Sequence, residues 1–176
     1  CSPNITRNND LGECGAIVTY PDPVVTDNCS GAISSCSPPS GSFFPVGTTS
    51  VTCTAIDASG NEAQCSFQVT VIDIEPPTIT CPADITKDND PGECGAIVSY
   101  PDPVVTDNCP GVTFSYTPSS GSFFPVGTTP VMCTAIDASG NQTNCSFQVT
   151  VVDSEPPLIT CLNDIIVSVG AGESGA

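Results

Sequence analysis

Twelve cysteines and nineteen carboxylates hold most of the chemistry this 176-residue chain can offer. There is no histidine, and Arg7 and Lys87 are the only basic side chains. Nucleophilic catalysis therefore lacks its usual base. A carboxylate pair for glycoside hydrolysis needs a cleft, and the acids here fall in turn-like segments. The chain is expected not to be an enzyme. No Cys-x-x-Cys pair occurs, so the common zinc spacings are absent. The cysteines read instead as a disulfide framework made in an oxidising compartment outside the cell.

The acids suggest a second chemistry. Asp73, Glu75, Asp102, Asp107, Asn108 and Asp137 are expected to gather where one module meets the next. Calcium takes about six to eight such oxygens and tolerates varied geometry. It is the one cofactor the sequence suggests, and none is required. The competing reading is that these residues cap turns and stay solvated. A net charge of −17 excludes nucleic acid and anionic lipid as partners. It suits solubility and mutual repulsion along an extended array. Divalent cations, basic surfaces and neutral sugars remain as partners. No run of eighteen apolar residues exists, so no membrane insertion is expected.

These residues belong to a repeat. Residues 1–80 and 81–160 are identical at 58 of 80 positions. Cys161-Leu162-Asn163-Asp164-Ile165 reopens the motif begun at Cys1 and Cys81. A fixed period signals an array, so the chain is expected to be a slice of a longer one, with any signal peptide removed or upstream. Boundaries are expected at 1–76, 77–157 and 158–176, the last being the first-strand segment of a truncated third repeat. Its 165–169 stretch either belongs to that repeat or adds as a strand to another chain. A unit of about 80 residues has a marginal core, which the disulfides reinforce.

Strand signals dominate. Residues 16–20 form a β-branched run closed by Pro21-Asp22-Pro23, and 48–57 and 65–72 alternate with period two. Ser59-Gly60-Asn61 predicts a hairpin tip between the last two. The pattern predicts an all-β fold of two-sheet antiparallel sandwiches. Glu75-Pro76-Pro77 stops the final strand and favours a semi-rigid, end-to-end connection. Phe43 and Phe44 read as a core anchor and corner, with a ligand-stacking pair as the alternative.

Several motifs recur in order: Thr-Asp-Asn-Cys (26–29, 106–109), Gly-Glu-Cys-Gly-Ala (12–16, 92–96), Phe-Pro-Val-Gly-Thr-Thr (44–49, 124–129) and Cys-Thr-Ala-Ile-Asp-Ala-Ser-Gly-Asn (53–61, 133–141). With Asp-x-Glu-Pro-Pro-x-Ile-Thr-Cys-Pro (73–82) they resemble the hyalin repeat, or HYR domain, over the whole chain. The resemblance implies tandem immunoglobulin-like sandwiches of extracellular matrix and cell-surface proteins, without catalytic residues.

Six cysteines in the first repeat allow fifteen connectivities. Strand adjacency in an immunoglobulin-like sandwich suggests Cys36–Cys53, and Cys14–Cys29 flank one strand and its loop. Cys1–Cys65 remains, and the resemblance implies this first-to-last pair. The second repeat then has Cys81–Cys145 and Cys94–Cys109, with Cys133 free because Tyr116 replaces the counterpart of Cys36. Sequons at Asn4, Asn28, Asn141 and Asn144 are candidate glycosylation sites. The function expected is a structural or adhesive extracellular module of a rod or filament, with other copies or neighbouring repeats as partners. The alternative is a spacer or module binding a glycan, matrix component or receptor; Phe114 and Tyr116 would supply its patch if both were exposed, but two residues apart on a strand they share a face, and at least one is expected in the core.

Overall fold

The computed structural model describes residues 1–161 and Gly172, so the expected strand at 165–169 lies outside the described residues. Fourteen strands and no helix occur among the described residues. The first repeat holds β1 (Ile5–Asn8), β2 (Gly15–Val18), β3 (Ile33–Ser37), β4 (Ser42–Pro45), β5 (Gly47–Ile56) and β6 (Glu62–Ile72). The second holds β7 (Thr78–Thr80), β8 (Ile85–Asp88), β9 (Gly95–Val98), β10 (Val104–Thr106) and β11 (Thr113–Thr117). It is completed by β12 (Ser122–Pro125), β13 (Gly127–Ile136) and β14 (Gln142–Val152).

Each repeat stacks a four-stranded sheet on a two-stranded one. The orders are β1-β6-β5-β3 over β2-β4, then β8-β14-β13-β11 over β9-β12, with β7-β10 added in the second repeat. The expectation of wholly antiparallel sheets needs one correction: β1 runs parallel to β6, and β8 to β14. The rest of the sandwich, not a hairpin, joins these partners, so nothing forces them to run in opposite directions.

Alternation places the core. On β6, Phe67, Val69 and Val71 are buried between exposed Ser66 and Gln68. They meet Val18, Tyr20, Phe44 and Val51, and the second repeat repeats the set with Val98, Tyr100, Phe124 and Val131. Full burial of one such side chain is worth about 1.5–3 kcal/mol. Phe44 is fully buried while Phe43 stays half-exposed. Phe43 lies over Gly15, where a Cβ would fall 2.3 Å from the ring and 2.4 Å from the Phe44 carbonyl oxygen. Close strand approach thus explains both the glycine and the second phenylalanine.

The two basic residues are spent inside their own repeats. Arg7 pairs with Asp10 and donates to the Ile17 carbonyl, and Lys87 does the same with Asp90 and Ile97. At each hairpin tip an aspartate collects the turn: Asp57 accepts from the amides of Ser59 and Asn61, and Asp137 from those of Ser139 and Asn141. Gly60, at φ 87°, supplies the left-handed turn residue.

Candidate functional site

The last strand of the first repeat ends at Ile72, and Asp73 immediately enters the second repeat. Asp73 is only 3% exposed. Its carboxylate accepts from Asn108 Nδ2 at 3.2 Å and Ser139 Oγ at 3.5 Å, while its carbonyl accepts from Asn141 Nδ2 at 3.1 Å. Asn108 Nδ2 also donates to the Glu13 carbonyl of the first repeat at 3.1 Å. Pro77 is fully buried, and Thr78–Thr80 pair antiparallel with Val104–Thr106. The joint is therefore knit by backbone, side chains and packing together.

A disulfide locks it. Cys14 is bonded to Cys109, with Cα atoms 4.8 Å apart, across 95 residues of chain. This corrects two expected pairs. Cys14 does not bond Cys29, nor Cys94 Cys109; Cys29 and Cys94 are exposed free thiols. The physical reason is the joint itself, which brings the Gly-Glu-Cys turn of one repeat onto the Thr-Asp-Asn-Cys loop of the next. The other bridges in the structure are Cys1–Cys65, Cys36–Cys53 and Cys81–Cys145, with Cys133 a buried free thiol whose pKa burial pushes up.

At the same joint, carboxylate oxygens of Asp73, Asp107 and Asp137 lie within 4.8 Å of one another. Asp107 Oδ1 and Asn108 Oδ1 are buried there without a hydrogen-bond partner. Burial raises the Asp107 carboxyl above its ordinary value, and the charges of Asp73 and Asp137 raise it further. Burial acts in the same direction on Asp137, but hydrogen bonds from Asn141, Ser139 and Gly140 outweigh it and hold that carboxyl low. Concentrated negative charge with two orphaned oxygens is a donor set that suits a hard divalent cation.

Of the six expected ligands, Asp73, Asp107, Asn108 and Asp137 come together, and Glu75 and Asp102 do not. Glu75 is captured by the Gly12 amide, at 2.8 and 3.1 Å, and by Asn9 Nδ2 at 2.7 Å. Asp102 is exposed and near Tyr116, whose phenol it helps push up to about 12 after burial and the Cys133 thiol. Sequence reasoning missed Ser139 and Asn141. Their signal was present in the Ser-Gly-Asn tip, which was read as a turn and, at Asn141, as a glycosylation sequon.

The remaining candidates are structural or peripheral. Tyr116 is half-buried, donates to the Pro101 carbonyl at 2.8 Å and packs edge-on against Tyr100. Phe114 is 39% exposed and packs edge-on against Tyr116, whose partial burial against the core agrees with the expectation that at least one of the two turns inward. Asn4, Asn28 and Asn144 are exposed. Asn141 is engaged in the joint through Nδ2, so a glycan there would displace its bonds to Asp73 and Asp137.

A family model described as the HYR domain matches residues 1–71 and 72–151. Hyalin of Lytechinus variegatus is 37% identical over 180 residues, covering 98% of this chain and 34% of that protein. Hyalin of Strongylocentrotus purpuratus is 37% identical over 185 residues, covering 99% and 15%. The sushi, von Willebrand factor type A, EGF and pentraxin domain-containing protein 1 of Rattus norvegicus is 33% identical, covering 94% and 5%. The chain spans about a third or less of the length of these relatives. Among solved structures, human protocadherin-24 EC1-2 matches with a TM-score of 0.37 and 15% identity, over 86% of this chain and 95% of that one.

Proposed function

The chain belongs to the HYR domain family, and from that membership we propose that it is a stiff, non-catalytic segment of an extracellular rod or fibre. At the coarser level it is an extracellular, adhesion-type repeat module. The observation that carries the finer reading is the Cys14–Cys109 bridge, which ties one repeat to the next at a joint that also buries Asp73. A free linker would let the repeats reorient; a bridge beside a buried, hydrogen-bonded aspartate does not.

Calcium is the proposed second tie, held by Asp73, Asp107, Asn108 and Asp137. The supporting observations are the convergence of three carboxylates and the two buried oxygens without partners. When bound, the ion would neutralise the repulsion among the aspartates.

Small-angle X-ray scattering and thermal unfolding of the oxidised chain test both ties, with millimolar calcium and with chelator. One extended envelope in either condition is expected, with a higher unfolding midpoint in calcium. An ion present at a hundred times its dissociation constant adds about 2.7 kcal/mol. A broad spread of inter-repeat angles in the oxidised protein would overturn the stiff rod. An unchanged midpoint at millimolar calcium would remove the ion.

A further inference from the structure

One row across the large sheet is filled differently in the two repeats. In the first, Cys36, Cys53 and Cys65 lie opposite one another on β3, β5 and β6, and Cys1 closes on Cys65. All four sulfurs are consumed by Cys1–Cys65 and Cys36–Cys53. In the second, Tyr116, Cys133 and Cys145 occupy the same row of β11, β13 and β14, and Cys81 closes on Cys145. Three sulfurs therefore share one bridge, and the odd one is buried beside it.

The sulfurs of Cys81, Cys133 and Cys145 lie within 4.8 Å of one another. Cys133 is fully buried, and the Cys81–Cys145 bridge packs half-buried against the same core. A thiol held against a disulfide is the reactant pair for thiol–disulfide exchange, which needs no outside oxidant. Register decides which sulfur is attacked. Cys133 faces Cys145 directly across the β13–β14 ladder. Facing residues of antiparallel strands hold their Cα atoms about 4.5–5.5 Å apart, inside the span of about 4.4–6.8 Å that a disulfide bridges. The first repeat already carries such a rung, Cys36–Cys53, between facing residues of β3 and β5. Cys81, by contrast, sits between β7 and β8, outside the strands. Bridging Cys133 to Cys145 leaves the strands in place and releases the partner that no ladder holds.

We infer that the second repeat holds an internal thiol–disulfide exchange site, in which Cys133 displaces Cys81 from Cys145 and delivers a reactive thiol to the half-exposed position of Cys81. The Cys133 thiolate attacks Cys145 Sγ, forming the Cys133–Cys145 bond and breaking Cys81–Cys145. Cys81 leaves as the thiolate and takes up the proton that Cys133 gave up, so thiols and bridges keep their number. Burial pushes the Cys133 thiol up, which makes the exchange slow and the buried thiol the resting form. The emerging Cys81 is open to soft electrophiles and to disulfides, and their capture of it drains the resting form. Exchange also changes the mechanics of the repeat. Cys81 directly follows Thr78–Thr80, the strand paired with Val104–Thr106, and its loss from Cys145 removes the covalent tie between that strand and β14. The first repeat has no odd sulfur in its row and cannot make the move.

The test uses the full chain carrying Cys29→Ser, Cys94→Ser and Cys161→Ser, because those exposed thiols would otherwise be alkylated and attack the bridge themselves. Excess iodoacetamide is added to the folded, oxidised protein for minutes to hours, the range of uncatalysed disulfide rearrangement. The protein is then digested at acid pH without reduction and read by mass spectrometry. Alkylated Cys81 and a Cys133–Cys145 peptide are expected to rise together. Cys133→Ala should abolish the label at Cys81 while keeping Cys81–Cys145. Tyr116→Cys should abolish it too, by engaging Cys133 across β11 and β13 with all the original sulfurs still present. Label on Cys133 beside an intact Cys81–Cys145, label on Cys145, or no label at all would overturn the exchange. So would label at Cys81 that survives either variant, since the bridge would then be opening without Cys133.

Discussion

The two repeats solve one packing problem in different ways. In the first, Cys36 on β3 lies opposite Cys53 on β5 and is bonded to it, closing a loop of 17 residues. In the second, Tyr116 stands opposite Cys133, and its ring joins an edge-to-face cluster with Tyr100 and Phe114. Strand register is nonetheless the same: Ile33 pairs with Ile56, and Thr113 with Ile136, 80 residues on. The bridge therefore does not set the register. Alternation of buried and exposed residues does, because a slip of one would turn every core side chain outward. The bridge and the aromatic cluster are interchangeable stabilisers laid on a frame already fixed.

That interchangeability can be broken. The largest effect is expected from replacing Cys36 and Cys53 together by serine, which removes a bridge worth about 3 kcal/mol for a loop of this size. Hydrogen exchange followed by mass spectrometry would read it locally, with faster exchange in β3 and β5 and none added in β11 and β13. Next comes Tyr116→Ala, at about 2 kcal/mol, below a full aromatic-to-alanine loss because the ring is only half-buried. Its exchange signature should fall on β11 and β13 alone. If both variants loosened both repeats equally, the repeats would be one cooperative unit and the comparison would dissolve. Tyr116→Cys sharpens the point. Opposite Cys133 it should form the missing bridge in oxidised protein, with a net change within about 1.5 kcal/mol as the bridge offsets the lost ring. A Cys133 thiol still reactive in the unfolded, oxidised variant would show the sites are not equivalent.

How much of this could be read from the chain itself follows from the range of the forces involved. The strands were legible at 48–57 and 65–72 because burial alternates locally, and Phe67, Val69 and Val71 carry that signal without help. The free state of Cys133 followed from a single substitution, Tyr116. The Cys14 pairing was misread because its partner sits 95 residues away in another repeat. Each repeat, considered alone, offers Cys29 as a nearer candidate. Asp73 and Asp137 were placed together correctly, since a linker and a hairpin tip must meet at a pole. Glu75 was not, because its capture by the Gly12 amide depends on a turn conformation that composition does not encode.

The smallest expected effect concerns the aspartates, where the joint can be set against the unpartnered turn at Asp57. Asp57 and Asp137 both have carboxyls held low by hydrogen bonds from the turn, while Asp107 is pushed up by burial. In chelator, the folded state takes up a proton at Asp107 before the unfolded state does. Stability then rises as pH falls through the raised value towards the unfolded carboxylate value of about 3.9. The low-held Asp57 and Asp137 act oppositely: their stability is present above about 3.9 and is lost as pH falls through their folded values. The unfolding midpoint in chelator should therefore pass through a maximum on the acid side of neutrality. Asp107→Asn should abolish the rise and keep the acid loss. Saturating calcium should also abolish the rise, because the ion favours the ionised carboxylate. An Asp107→Asn profile matching the unmodified protein would mean that the repulsion at the joint is already relieved by solvent, leaving the disulfide as the tie that distinguishes the joint from the free turn.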